Sequence, residues 1–214
     1  MAVRVMKWVV LMCCLLLLWY WWQCYTLMES RGGLLAQRPT LPRFSVAAPL
    51  TVHVADASYT VTGSPSISAD FIDRVFAAYG SPAAGTGQAL YDLGVEYGID
   101  PAYALAFFQH EDSFGKTGIG AANQSLGNIR CSSGYSCQYG FRSYATWADG
   151  YQDWYSLILN GYVKGQITNA IVGHPCTTLE EIVPVYAPST DNNDVSAYIA
   201  AIEQAVQRWR SGQV

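Results

Sequence analysis

One glutamate of this sequence lies where an apolar helical face meets a helix end, a setting in which a carboxyl group can act as an acid. Ala104, Phe107, Phe108 and Glu111 follow one another at steps of three and four residues, so a helix places Glu111 on the face of the two aromatic rings. Burial beside such rings penalises the ionised form and raises a carboxyl's pKa, as a general acid working near neutral pH requires. An exposed helix-end glutamate is the alternative, and it is the commoner case for an arbitrary glutamate.

The residues from Glu111 onward form a short motif, EDSFG at residues 111–115, where the helix must stop. This motif resembles that of the lysozyme-like cell-wall glycosidases, specifically the glucosaminidase group (mannosyl-glycoprotein endo-β-N-acetylglucosaminidase-like enzymes) related to the lytic transglycosylases. In that family a glutamate ending a helix before such a motif is the catalytic acid, so the resemblance implies that Glu111 is catalytic. It also makes Ser113 and Phe114 candidate substrate contacts.

Three further segments resemble the same family and follow in its order. They are NQSLGNIR at residues 123–130, GFRSY at residues 140–144 and YAPSTDNNDVSAY at residues 186–198. Together with the first motif they cover about residues 65–210. The resemblance implies a mainly α fold of the lysozyme-like α+β type, and the β-1,4-linked GlcNAc/MurNAc glycan of peptidoglycan as substrate. The loops CSSGYSC at 131–137 and GHPCTT at 173–178 do not match the family pattern.

The sequence indicates a second catalytic group less clearly than it indicates Glu111. Glycoside cleavage needs a proton for the leaving oxygen and a group that stabilises the oxocarbenium-like centre, often a second carboxylate. Asp112 lies about 100° around the helix from Glu111, so the two should diverge, while Glu180 and Glu181 suit the start of a helix. Without a second acid, the substrate's N-acetyl group can act as nucleophile. The resemblance then implies a catalytic role for Tyr186, for which a core position is the alternative.

Amide and aromatic side chains are the remaining candidates for sugar binding, because sugar hydroxyl groups pair with amides and sugar rings stack on aromatic rings. They are Asn123, Gln124, Asn128, Tyr139 and Tyr144, together with Asp191 from the polar run STDNND. Asn128 and Asp191 also suit a turn or a helix cap, and Tyr144 also suits the core. His110 adjoins Glu111 but points elsewhere on the helix, so we expect a structural role for it.

The cysteines of the C-terminal part favour a disulfide over a metal site. Cys131 and Cys137 bracket a short Ser/Gly/Tyr loop, which suits a local disulfide in an oxidising compartment. Cys176 then stays unpaired, or it takes one of the two as its partner instead. Zinc is the rival interpretation, but three scattered cysteines and His174 match no familiar ligand spacing. We expect no metal and no cofactor.

The elements that must position these residues are mostly helices. Helix start signals occur at five places, namely Ser68, Gln88, Asp100 followed by Pro101, Thr146 with Asp149, and Thr178 with Glu181. The third helix is expected to end near Gly115, and Pro184 should keep the helix after Thr178 short. Apolar residues at steps of three and four from Val195 to Trp209 predict a final helix with a buried stripe. Residues 50–62 are β-branched and partly alternating, which predicts a short hairpin at the N-terminal edge of the domain.

The first 30 residues predict a membrane anchor. Residues 8–28 form 21 residues without a charge, long enough to span a bilayer, with Arg4 and Lys7 before them and several aromatic residues in their second half. A cleaved secretory signal is the alternative, although no small-residue cleavage site follows. We therefore expect a cytoplasmic tip and transmembrane anchor at 1–30, a spacer at 31–49, and an exported domain at 50–214.

Charge and composition limit the partners of that domain. The chain has 214 residues, of which 51% are hydrophobic and 13% charged, which excludes a disordered polyelectrolyte. Residues 38–214 hold 9 Lys and Arg against 15 Asp and Glu, a net charge of −6, which disfavours nucleic-acid binding. The expected partners are peptidoglycan glycan strands and, through the N-terminal helix, the membrane. The functions left open are a hydrolase, a lytic transglycosylase with the same acid, and a non-catalytic wall-binding module.

Overall fold

The computed structural model describes residues 59–214, which are mainly helical, as expected, and which include one small antiparallel sheet. The α-helices are α1 (Ala69–Tyr79), α2 (Gly87–Tyr97), α3 (Pro101–Asp112), α4 (Gly120–Asn123), α5 (Trp147–Ser156), α6 (Thr168–Ile171), α7 (Leu179–Tyr186) and α8 (Val195–Arg210). A π-helix (Leu157–Val163) continues α5, and a 3-10 helix (Ser189–Asp191) lies between α7 and α8. Strands β1 (Cys137–Gln138) and β2 (Phe141–Arg142) form the sheet.

Helix starts fall where the capping residues predict them. The confirmed capping residues of α1, α3, α5 and α7 are Ser68, Asp100, Thr146 and Thr178. At α5, for example, the Thr146 hydroxyl accepts a hydrogen bond from the Asp149 backbone N–H at 3.2 Å, and the Asp149 carboxylate accepts from the Thr146 N–H at 3.1 Å. Helix α7 is eight residues long and ends two residues after Pro184, in agreement with the expected short helix.

Helix α3 is buried along almost its whole length and forms the support for Glu111. On one side Phe108 packs against Tyr151 and Trp154 of α5, with ring centroids 5.6 and 5.3 Å away. On another side Phe107 lies 5.7 Å from the ring of Tyr198 in α8. Each fully buried phenylalanine contributes roughly 1.5–3 kcal/mol of transfer free energy. The end of α3 is therefore held in place by packing on several faces.

The small sheet is a tight hairpin at residues 137–142. Its two-residue turn consists of Tyr139 and Gly140, both with positive φ (54° and 84°), the conformation that suits the twist of a hairpin. A disulfide joins Cys131 to Cys137, which confirms the predicted pairing, and Cys176 is a buried free thiol. The disulfide ties the loop before β1 to the hairpin.

Only residues 59–62 of the predicted N-terminal hairpin at residues 50–62 are described. Thr60 and Thr62 form isolated antiparallel bridges with Thr178 and Ile99, which belong to distant loops. Residues 59–62 therefore pair with two helix connections. The rest of that prediction, the spacer and the predicted anchor at 8–28 lie outside the described residues. Within residues 59–214, no helix is both long enough and apolar enough to cross a bilayer.

Candidate active site

A left-handed turn ends α3 immediately after the site glutamate. The helix stops at Asp112, three residues before the predicted end, because Ser113, Phe114 and Gly115 all have positive φ (52°, 60° and 78°). Two of these are not glycine, so the turn is conformationally costly and needs support. The Asp112 carboxylate supplies it by accepting the Gly115 backbone N–H at 2.7 Å. Glu111 is thereby fixed in the last helical turn.

The Glu111 carboxyl lines an open cavity of about 580 Å³, which we call the groove. Residues from 128–142 form one wall of the groove, and residues from 185–193, between the end of α7 and the start of α8, form the other. Leu157 and Tyr162 of the π-helix complete the lining. A π-helical turn inside a longer helix is often found at functional sites, and here it directs a tyrosine toward the groove.

Burial and two hydrogen bonds set the electrostatics of Glu111. Burial raises the pKa of Glu111 above its ordinary value, and hydrogen bonds from Tyr198 and Asn128 offset part of this increase. The Tyr198 hydroxyl donates to Oε1 at 2.6 Å. The result is a carboxyl group that keeps its proton to a higher pH than an exposed glutamate does. This is the behaviour that the apolar face of α3 predicts.

Tyr198 is the main site residue that the sequence interpretation missed. It belongs to the apolar stripe of α8, which is confirmed as buried, and it is 3% exposed. Its ring lies 3.8 Å from that of His110, which lies outside the groove lining. Burial and the nearby Glu111 raise the pKa of Tyr198, so the hydroxyl remains a donor. The sequence signal that could have identified Tyr198 is chemical, because a tyrosine in a buried stripe needs a hydrogen-bond partner for its hydroxyl.

Asn128 is held against the groove by an unusually close backbone approach. It has a left-handed backbone (φ 45°), and its neighbour Gly127 packs so tightly on Trp154 that an added Cβ would lie 2.4 Å from the indole Cδ1. The Asn128 Oδ1 is buried, and no group of the described residues hydrogen-bonds it. The Asn128 side chain thus hydrogen-bonds Glu111, while its Oδ1 is enclosed by the protein.

Tyr186 combines the two positions considered for it, the cleft and the core. It lines the groove, yet its hydroxyl donates to the Gly127 carbonyl at 2.6 Å and accepts from the Trp154 indole N–H at 3.3 Å. Its ring lies 5.2 Å from that of Phe107. The hydroxyl therefore fixes the backbone that carries Asn128 and is committed to that role in this structure.

The described lining of the groove contains one carboxylate besides Glu111. Asp191 lies on the 185–193 wall and pairs with Arg130 at 2.8 Å. Asp112 diverges from Glu111 as expected: it is 2% exposed and packs against Gly120, where an added Cβ would lie 1.6 Å from its Oδ2. Burial raises the pKa of Asp112 to about 7. Its role is to hold the turn after α3.

Two arginines of the groove were not among the predicted site residues. Arg142 is bound by Asp153 through two contacts of 2.7 and 3.0 Å, and its guanidinium lies 3.5 Å from the Tyr135 ring centroid. Arg130, in contrast, is largely exposed and pairs with Asp191. Both lie within segments that were singled out as motifs, so a charge inventory of those motifs would have identified them.

Ser113 and Phe114 do not line the groove, which corrects their prediction as substrate contacts. Phe114 is completely buried, with its ring 5.4 Å from Phe76 and 5.1 Å from Tyr79. Ser113 occupies the left-handed turn and borders a different cavity, beside His110. Both residues serve the end of α3.

The predicted contacts Asn123, Gln124 and Tyr144 also lie outside the groove lining. Asn123 is 1% exposed and its amide donates to the Gln138 carbonyl at 3.1 Å. Gln124 ends α4 in a left-handed conformation. The Tyr144 hydroxyl donates to Asp153, the partner of Arg142. Since these contacts join the hairpin and α5 to their neighbours, Asn123 and Tyr144 support the wall without forming its surface.

Tyr139 is free to reach a ligand, although it is not part of the groove lining. It is 69% exposed at the hairpin turn. Its sugar-binding role stays a prediction.

No group of three or more potential metal ligands occurs in residues 59–214. Comparison of the chain with protein-family models gives no match, and comparison with curated proteins gives none either. Function is therefore inferred from the groove and from the resemblance of the motifs.

Proposed function

We propose that this protein is an exported peptidoglycan glycoside hydrolase of lysozyme-like fold that cleaves a β-1,4 bond of the GlcNAc/MurNAc glycan, with Glu111 as general acid. The observation that carries the proposal is the state of Glu111. Its carboxyl is desolvated at an open groove, has a raised pKa, and receives the Tyr198 hydroxyl at 2.6 Å. A protonated carboxyl facing a groove is the group that a glycosidic leaving oxygen requires.

The same contacts suit both halves of the proton transfer. In the ground state, burial raises the pKa of Glu111 and so favours its protonated form. As the glycosidic bond breaks, Glu111 gives up its proton and becomes a carboxylate, which the donors on Tyr198 and Asn128 stabilise. Interactions that strengthen as charge develops lower the barrier without tightening ground-state binding. Tyr186 acts as a positioning residue, since its hydroxyl holds the Gly127 carbonyl.

The oxocarbenium-like centre is stabilised by the substrate's own N-acetyl group. Among the described residues, Asp112 is turned away from the groove and Asp191 is paired with Arg130, so neither is placed as a nucleophile. We assign the orientation of that acetamido group to the Asn128 amide, which lines the groove beside Glu111. A lytic transglycosylase is the alternative that the same arrangement suits, because an internal hydroxyl then replaces water and gives an anhydro product.

The proposed location is the outer face of the cell membrane, with residues 8–28 as a single-pass anchor. The Cys131–Cys137 disulfide is compatible with an oxidising compartment. The partners are glycan strands and the lipid bilayer, with no nucleic acid, metal or cofactor.

Zymography on cell-wall sacculi tests the proposal with wild type, Glu111→Gln and the matched control Glu96→Gln. Glu96 is an exposed glutamate of α2 that does not line the groove. Clearing by wild type and Glu96→Gln, with none by Glu111→Gln, is expected. Equal clearing by all three proteins would remove Glu111 from the mechanism, and binding to sacculi without clearing by any would support the wall-binding module. Mass spectrometry of the fragments then assigns the bond and distinguishes a hydrated from an anhydro end.

A further inference from the structure

The charged side chains of the groove are neutralised to different extents. Four charged side chains line it: Glu111, Arg130, Arg142 and Asp191. Arg142 is neutralised by two contacts with Asp153 of α5, and both side chains of that pair are at most 14% exposed. Arg130 is the exposed cation of the described lining, with 77% of its side chain accessible.

The partner of Arg130 comes from the opposite wall. Arg130 Nη2 lies 2.8 Å from Asp191 Oδ2, so the pair joins the 128–142 wall to the 185–193 wall. Asp191 belongs to the short 3-10 helix between α7 and α8 and is itself 39% exposed. Exposed ion pairs of this kind contribute little net stability, since water solvates both partners almost as well. Another carboxylate can therefore replace Asp191 at a small free-energy cost.

We propose that Arg130 is a specificity residue that binds a carboxylate of the substrate glycan, with Asp191 holding the guanidinium in place until the substrate displaces it. This inference rests on the proposed function and narrows its substrate to an anionic glycan. A guanidinium recognises a carboxylate through paired N–H donors, and the exchange of one carboxylate for another keeps the arginine satisfied throughout. Arg130 and Glu111 line the same groove, so a carboxylate bound at Arg130 positions the glycosidic bond relative to Glu111.

Two sources supply such a carboxylate in peptidoglycan. In strands without stem peptides it is the free lactyl group of MurNAc, and in strands with peptides it is a peptide carboxylate. The chemistry at Arg130 is the same, and matched substrates distinguish the two.

The experiment measures kcat and KM of the full-length protein on four glycans. They are a chitin oligosaccharide, a GlcNAc–MurNAc oligomer with free lactyl groups, the same oligomer with lactyl methyl esters, and the oligomer carrying stem peptides. We expect wild type to prefer a carboxylate-bearing oligomer over the methyl ester about tenfold in kcat/KM, through KM. Preference for the free lactyl oligomer assigns the lactyl source, and preference for the peptide-bearing oligomer assigns the peptide source.

Variants connect that preference to Arg130. Arg130→Ala should abolish the preference, because kcat/KM for the charged oligomer falls to the value for the methyl ester, and Arg130→Lys should keep part of it. Asp191→Asn removes the competing carboxylate and should lower KM for the anionic oligomer about threefold. Arg74→Ala is the matched control, because Arg74 is an exposed arginine of α1 that does not line the groove. The preference should also weaken with salt.

The outcomes separate this inference from the proposed function. Equal kcat/KM for the ester and both charged oligomers, or a preference that survives in Arg130→Ala, overturns the role of Arg130 while the glycosidase proposal stands. Failure of wild type to cleave any of the four glycans overturns the proposed function and this inference together.

Discussion

Replacing Tyr198 with phenylalanine removes one hydroxyl and leaves the packing of α8 on α3 intact. That hydroxyl donates to Glu111 Oε1 at 2.6 Å and stabilises the ionised carboxylate, so its loss raises the pKa of Glu111 further. A hydrogen bond to a charged group contributes about 1.5–3 kcal/mol. The lower end applies here because Asn128 remains, and it corresponds to about one pKa unit at roughly 1.4 kcal/mol per unit.

The assay is the pH dependence of kcat/KM on solubilised glycan strands. Activity that needs a protonated Glu111 is lost as the pH rises through the pKa of that group, so the basic limb of the profile should move up by about one pH unit in Tyr198→Phe. The maximal kcat should fall about tenfold, because the carboxylate formed in the transition state loses a donor.

A matched control keeps the interpretation specific. Tyr155 is also fully buried, and its hydroxyl donates to the Leu90 carbonyl at 3.1 Å, away from Glu111. Tyr155→Phe loses one buried hydrogen bond as well but should leave the pH profile unchanged. A basic limb that stays in place or moves to lower pH in Tyr198→Phe would refute the assigned direction of the Tyr198 effect.

Three further changes test the support of the site. Asp112→Asn should weaken the pH dependence of stability. Burial raises the pKa of Asp112 to about 7, so in the wild type its contribution is complete below about pH 4, and up to about 4 kcal/mol is lost as the pH rises toward 7. The amide lacks this contribution and keeps that of Glu111, as urea unfolding at pH 5 and 8 will show. Gly127→Ala forces a Cβ to 2.4 Å from Trp154, so thermal unfolding should show a loss of about 1–3 kcal/mol in the free energy of unfolding. Steady-state kinetics should show a greater effect on kcat than on KM. An unchanged stability together with unchanged kinetics would contradict this packing. Replacing Cys131 and Cys137 by serine should lower the free energy of unfolding by at most about 2 kcal/mol, since the closed loop is short, and dithiothreitol should reproduce the effect in wild type only.

Local signals in the sequence predict the helix framework well, because capping acts over three or four residues. The starts of α5 and α7 follow from Thr146 and Thr178, and the disulfide follows from two cysteines six residues apart. The stripe of α8 predicts which of its faces is buried. The apolar face of α3 likewise predicts a half-buried Glu111 with a raised pKa.

Which residues meet at the groove could not be predicted from these local signals, because the contacts of the groove are long-range. Tyr198 and Glu111 are 87 residues apart, and Arg130 and Asp191 are 61 apart. No periodicity encodes either pair, so a tyrosine in an apolar stripe is indistinguishable from a core tyrosine until α8 is placed on α3. The π-helix at residues 157–163 has no capping residue of its own that would predict it.

The EDSFG motif shows why a motif does not assign a role to each of its residues. Glu111 alone faces the groove, while the four residues after it make and stabilise the left-handed turn that ends α3. Asp112 binds the Gly115 N–H, and Phe114 anchors the turn in the core. Two non-glycine residues with positive φ are costly, and the buried contacts of that turn offset the cost. The motif therefore specifies the position of one carboxyl group, and the residues first considered as sugar contacts are the means by which that position is fixed.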